Sequence, residues 1–85
     1  MVEEEIGKDT RYFGKLGVAG IEITHGTLRV GDTIHVHGHT SDFTETIDSM
    51  QIDNQSVEEA TIGQVIGLTV PEHARVHDIV FKVID

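Results

Sequence analysis

Aliphatic residues recur at every second position along most of this chain, and the alternation stops at glycine, proline and short polar side chains. A period of two belongs to a strand with one buried face; a helix would place apolar residues three and four apart. Ala19, Ile21 and Ile23 share one face of a strand predicted over 18–24, with Gly20 and Glu22 on the other. Ile34 and Val36 alternate with His35 and His37 over 33–37, and Ile66, Leu68 and Val70 share a face over 64–70. Gly67 lies on the opposite face, where a lone strand glycine marks a close neighbour or a bulge. Pro71, which has no amide hydrogen for a ladder, ends that strand. Further strands are predicted over 6–13, 43–53 (with Met50 and Ile52 inward) and 79–84, while 54–63 reads as polar loop anchored by Val57 and Ala60.

The run Gly26-Thr27-Leu28-Arg29-Val30-Gly31-Asp32-Thr33-Ile34 sets two glycine turns around a short strand. Gly26 and Gly31 permit the positive φ that such turns need, and Leu28 and Val30 point to one side. Six to seven short strands so spaced predict an all-β fold, a small closed or nearly closed antiparallel β-barrel, since closure removes the edges a small sheet cannot protect. At 85 residues and 38% hydrophobic content, residues 1–85 form one domain, with an acidic and mobile start over residues 1–5.

Charge narrows the partners. The net charge is −9, and between Arg29 and Arg75 there is neither lysine nor arginine, only the acidic Asp32, Asp42, Glu45, Asp48, Asp53, Glu58, Glu59 and Glu72. Binding a polyanion requires cations that displace condensed counterions, so an extended nucleic-acid interface is disfavoured. Lys8, Arg11 and Lys15 remain as basic candidates for one or two phosphate contacts. No cysteine, apolar membrane-spanning run or secretory leader pattern is present, and a cytoplasmic location is expected.

Candidate chemistry is sparse. His35, His37 and His39 alternate along a strand and its exit, a spacing that presents imidazoles on one face to zinc or nickel, with Asp42, Glu45 or His25 as further ligands. Ile34 and Val36 take the inward face, so these histidines are expected outward and solvated. Ser41, Ser49 and Ser56 sit in no nucleophile elbow, and Asp48 and Asp53 fall on opposite faces of a regular strand. No Gly-x-x-x-x-Gly-Lys-Ser/Thr phosphate loop exists, which excludes GTP binding, and neither catalysis nor a cofactor is expected.

The order Leu28, Val30, Gly31-Asp32, Ile34, then Ala60, Gly63, Ile66-Gly67-Leu68 and Asp78-Ile79-Val80 resembles domain II of translational GTPases of the elongation factor Tu type, over residues 6–84. Closer likenesses are to small free-standing elongation-factor-like proteins and to the barrel appended to collagenase-type peptidases. The resemblance implies a non-enzymatic interaction module with a protein partner: a ribosomal component, a GTPase or a peptidase. A metal-binding protein using His35 to His39, and a weak binder of a tRNA or rRNA end, are the alternatives. Two positions depart from that family: glycine stands at Gly20 rather than at Ile21, and His77 stands where glycine usually precedes the acidic residue.

Overall fold

Residues 2–84 are described by a computed structural model. They form ten strands and, among the described residues, no helix. These are β1 (Val2–Phe13), β2 (Val18–Ile23), β3 (Thr27–Arg29), β4 (Thr33–His37), β5 (Asp42–Thr46), β6 (Met50–Ile52), β7 (Gln55–Val57), β8 (Glu59–Thr61), β9 (Val65–Thr69) and β10 (Ile79–Ile84). Eight of them make one antiparallel sheet in the order β5-β4-β10-β1-β2-β9-β6-β7, and β3 pairs with β8 in a separate ribbon. The all-β antiparallel expectation holds. The strands number ten rather than the six to seven expected, and β5 and β7 stand at the two ends of the ladder, with no pairing between them.

The period-two pattern places the core as expected. Ala19, Ile21, Ile23, Leu28, Ile34, Val36, Met50, Ile66, Leu68 and Val70 all belong to one buried cluster. Each of these side chains larger than Ala19 contributes on the order of 1.5–3 kcal/mol through removal from water. Other expectations shift. Residues 2–5, expected to be mobile, pair with Ile84 through Phe81 in the β1–β10 ladder. The long strand over 43–53 is broken at Ile47–Ser49, because Ile47 turns aside to exchange backbone hydrogen bonds with Gly31 and Asp32. The loop over 54–63 holds β7 and β8. Asp53 and Asn54 adopt φ of 50° and 65°, the left-handed pair of a type I′ hairpin turn, and so connect β6 directly to β7. The offset seen at Gly20 is not a bulge in β2. It lies in β1, where the register shifts between Asp9 and Arg11.

One corner occurs twice. In Arg29-Val30-Gly31-Asp32 the Arg29 amide donates to Asp32 Oδ2 at 2.8 Å and the Asp32 amide to the Arg29 carbonyl at 3.0 Å. In Arg75-Val76-His77-Asp78 the same two bonds recur at the same lengths. Each corner leads into one of the neighbouring strands β4 and β10. The third residue is left-handed in both, Gly31 at φ 97° and His77 at φ 79°. A side chain at such a φ carries strain that glycine avoids, partly offset by glycine's greater freedom in the unfolded chain. His77→Gly is therefore expected to raise stability by about 0.5–1 kcal/mol and Tm by about 4 °C. Thermal denaturation checks this, with the β-branched His77→Val, expected to fall below the parent, as the opposite control.

Candidate functional site

The open ladder leaves one broad face outside the core, and a groove of about 740 Å³ is set into it. Its floor follows from the strand register. Arg11 of β1 stands opposite Gly20 of β2, Gly20 opposite Gly67 of β9, and Gly67 opposite Gln51 of β6. This lateral row of four residues spans three interstrand steps, about 14 Å, with a cation at one end, an amide at the other and no side chain between. The neighbouring positions on the same face are mixed: Val18, Val65 and Phe13 are apolar, while Glu22, opposite Val65, Thr69, opposite Val18, and Asp53 at the Gln51 end are polar or acidic. Phe13 pairs with Val18 along one wall, Leu16 rises from the turn beside them, and Val65 stands on the other side. Phe13 is 45% exposed, Leu16 71% and Val65 50%, and the three stand together around the groove.

The three basic candidates separate here. Arg11 lines the groove; Lys8 lies on β1 opposite Glu22, and Lys15 lies in the β1–β2 turn. Arg29 pairs with Glu59 at 3.1 Å and Lys82 with Asp32 at 3.4 Å. Among the described residues Lys8, Arg11, Lys15 and Arg75 have no carboxylate within ion-pair reach.

The histidine cluster is organised differently from the solvated row expected. His35 is half-buried, and both its ring nitrogens face carboxylates: Nδ1 lies 3.0 Å from Glu3 and Nε2 faces Asp42. An imidazolium, with a proton on each nitrogen, donates to both. The Glu3 and Asp42 carboxylates accordingly hold the His35 pKa above its usual value, and His35 draws that of Asp42 down. Those bonds tie the first residues of β1 to β4 and β5 across β10. His37 is exposed beside His35, with ring centroids 5.6 Å apart, and His39 lies in the bend after β4. Among the described residues no group of three histidines, cysteines or carboxylates is placed to hold a metal ion. Of the three candidates His35, His37 and His39, His35 is engaged in bracing the sheet.

Two further acids have pKa values raised by their surroundings, Asp9 in the core and Glu45, which is partly buried. Asp9 is 1% exposed; its Oδ1 accepts the Arg11 amide at 3.1 Å across the β1 bulge, while Oδ2 has no partner. Burial, with the nearby Asp78 carboxylate, pushes the Asp9 pKa up to about 6. Glu45, near Asp48, is raised by burial to about 7 and has one unpartnered oxygen. Sequence reasoning passed over Asp9, since only the bulge turns it inward. The glycines were visible as lone strand glycines, but their mutual pairing was not.

No family model matches the chain. Over 78 residues, 91% of its length, it is 37% identical to a collagenase of Porphyromonas gingivalis and to an uncharacterized protease of Methanocaldococcus jannaschii. The chain spans about a fifth of each of those proteins, 22% and 19%. In fold it is similar to the C-terminal domain of a Geobacillus thermoleovorans protein assigned to the U32 peptidases. The TM-score is 0.87 at 19% identity, over 94% of this chain and 92% of that one. The selenomethionine form of the same domain matches with a TM-score of 0.84. These findings overturn the assignment to domain II of translational GTPases: the similar proteins carry peptidase names, and ribosomal or GTPase partners and a tRNA or rRNA ligand lose their support. The expectation of a non-enzyme is contradicted as well, since the sequence relatives are named collagenase and protease; of the expected partners, the peptidase option alone is consistent with those names. No helix among the described residues is long and apolar enough to cross a membrane.

Proposed function

We propose that this chain supplies the β domain of a U32-type peptidase, and that it holds polypeptide for an enzyme whose hydrolytic work belongs to the assembled whole. The observation that carries this reading is the 37% identity, extended over 91% of the chain, to proteins named collagenase and protease. The fold likeness to a U32 C-terminal domain supports it, because the match takes in nearly all of both chains. Composition agrees: a net charge of −9 disfavours nucleic acid, and an exposed apolar groove suits polypeptide. We also propose that the eight-stranded sheet curls into a barrel, with the β3–β8 ribbon bridging its ends. The bonds from the Val30 amide to the Glu58 carbonyl, and between Gly31, Asp32 and Ile47, support that closure.

The test is a chimera in which this chain replaces the matching segment of the Porphyromonas gingivalis collagenase. Peptide hydrolysis within about threefold of the parent, a difference under 1 kcal/mol in transition-state stabilisation, is the expected result. A folded chimera no more active than the protein lacking the segment overturns the reading.

A further inference from the structure

Gly7 and Gly38 are required by packing: a Cβ on Gly7 would meet the Glu22 carbonyl and lie 3.1 Å from Ile21, and one on Gly38 would lie 2.6 Å from Asp78 Cγ. Gly20 and Gly67 are different. A Cβ on Gly20 would have no neighbour nearer than 3.5 Å and one on Gly67 none nearer than 3.7 Å, both ordinary contacts, and neither residue has a positive φ. Glycine inside a strand sacrifices conformational entropy and cross-strand packing, so two paired glycines that the fold does not need point to something lying on the backbone there. Around them stand the exposed Phe13, Leu16 and Val65, and at the end of the row Arg11, which among the described residues makes no ion pair, with Asp53 lining the groove beyond Gln51.

We infer that the Gly20–Gly67 trough is a docking site for an extended polypeptide, which lays an apolar side chain on the glycine floor and directs a carboxylate one or two residues away to Arg11. The dimensions fit: the row of about 14 Å takes about four residues of extended chain, and the floor centre lies about 7 Å from the Arg11 backbone, the reach of two residues. The chemistry selects peptide over nucleic acid, because one guanidinium pairs with one carboxylate, whereas a nucleic acid backbone would approach a chain of net charge −9 against its field. The inference rests on the peptidase reading only in taking polypeptide as the ligand class.

Isotope-labelled full-length chain is titrated with acetyl-Gly-Phe-Gly-Asp-Gly amide, with the same peptide carrying Lys for Asp or Ala for Phe, and with a short oligothymidylate. Shifts centred on the Gly20, Gly67, Phe13 and Val65 amides are expected with the first peptide. Binding should weaken about tenfold for the Ala peptide and for Gly67→Val, which fills the floor, and severalfold for the Lys peptide and Arg11→Gln. Spectra of Gly67→Val away from the trough serve as its folding control. Overturning results are peptide shifts that map elsewhere, equal affinity in a folded Gly67→Val, no binding by any peptide, or trough shifts produced by the oligonucleotide instead. The chimera reads a different quantity: an active chimera with a silent trough removes this site alone, and an inactive chimera with peptide in the trough removes the peptidase reading alone.

Discussion

Gly7→Ala is expected to lower stability by about 3 kcal/mol or more, and Tm by at least about 12 °C. Gly7 sits in β1 where the β1–β10 register shifts, buried and opposite Ile23 of β2. A methyl there is directed at the backbone carbonyl of Glu22, with the Ile21 side chain 3.1 Å away on its flank. A flexible side chain in the path could rotate aside; a carbonyl fixed in the β1–β2 ladder can move only if the strands part. Relief would thus cost ladder hydrogen bonds and core contacts of Ile21 and Ile23, both almost fully buried. Gly38→Ala should cost less, since the obstructing group is the Asp78 carboxylate, which can swing away at the expense of its bond from the Arg75 amide. The measurement is thermal or denaturant unfolding of Gly7→Ala beside Gly67→Ala. The latter is expected to be neutral or to gain up to about 1 kcal/mol, because it stiffens the unfolded chain without a clash. Equal destabilisation of both variants would remove the distinction between glycines the fold requires and glycines it does not.

How far the sequence foretold this arrangement depends on the range of the interactions involved. The run Gly26 to Ile34 was legible because turn chemistry and alternation are local: Gly26 and Gly31 do take positive φ, and Leu28, Ile34 and Val36 are buried. The hairpin at Asp53–Asn54 was legible in principle, but the polar β7 and β8 have no aliphatic alternation to reveal them. The break after Thr46 comes from bonds that Ile47 makes with Gly31 and Asp32, distant in sequence. The trough was least legible of all. Gly20 and Gly67 each stand out in their own strand, yet only the register of β1, β2, β9 and β6 sets them side by side between Arg11 and Gln51. His35 likewise meets Glu3 only because β10 brings β4 and β1 within reach.

Asp9→Asn is expected to stabilise the protein at pH 8 by up to about 3 kcal/mol, the free energy corresponding to a pKa moved from 3.8 to about 6, and to change little near pH 4. Because the folded-state pKa is raised, the neutral carboxyl is the form the fold prefers. The stabilising contribution is complete below the unfolded value of 3.8 and is lost as pH climbs through about 6. Above that, the carboxylate is charged and almost wholly buried. One oxygen is held by the Arg11 amide, the other is unpartnered, and the Asp78 carboxylate repels it. Asparagine keeps the acceptor for Arg11 and removes the charge. Glu45, raised to about 7, acts in the same direction over a higher window, so the single variant should flatten only the lower part of the decline. Denaturant unfolding of the parent, Asp9→Asn, and Asp9→Asn with Glu45→Gln across pH 4 to 8 separates the two. A loss of stability in Asp9→Asn at pH 8 would show that the ionised carboxylate is held by a favourable interaction at the β1 bulge, and the burial account of its pKa would then be wrong.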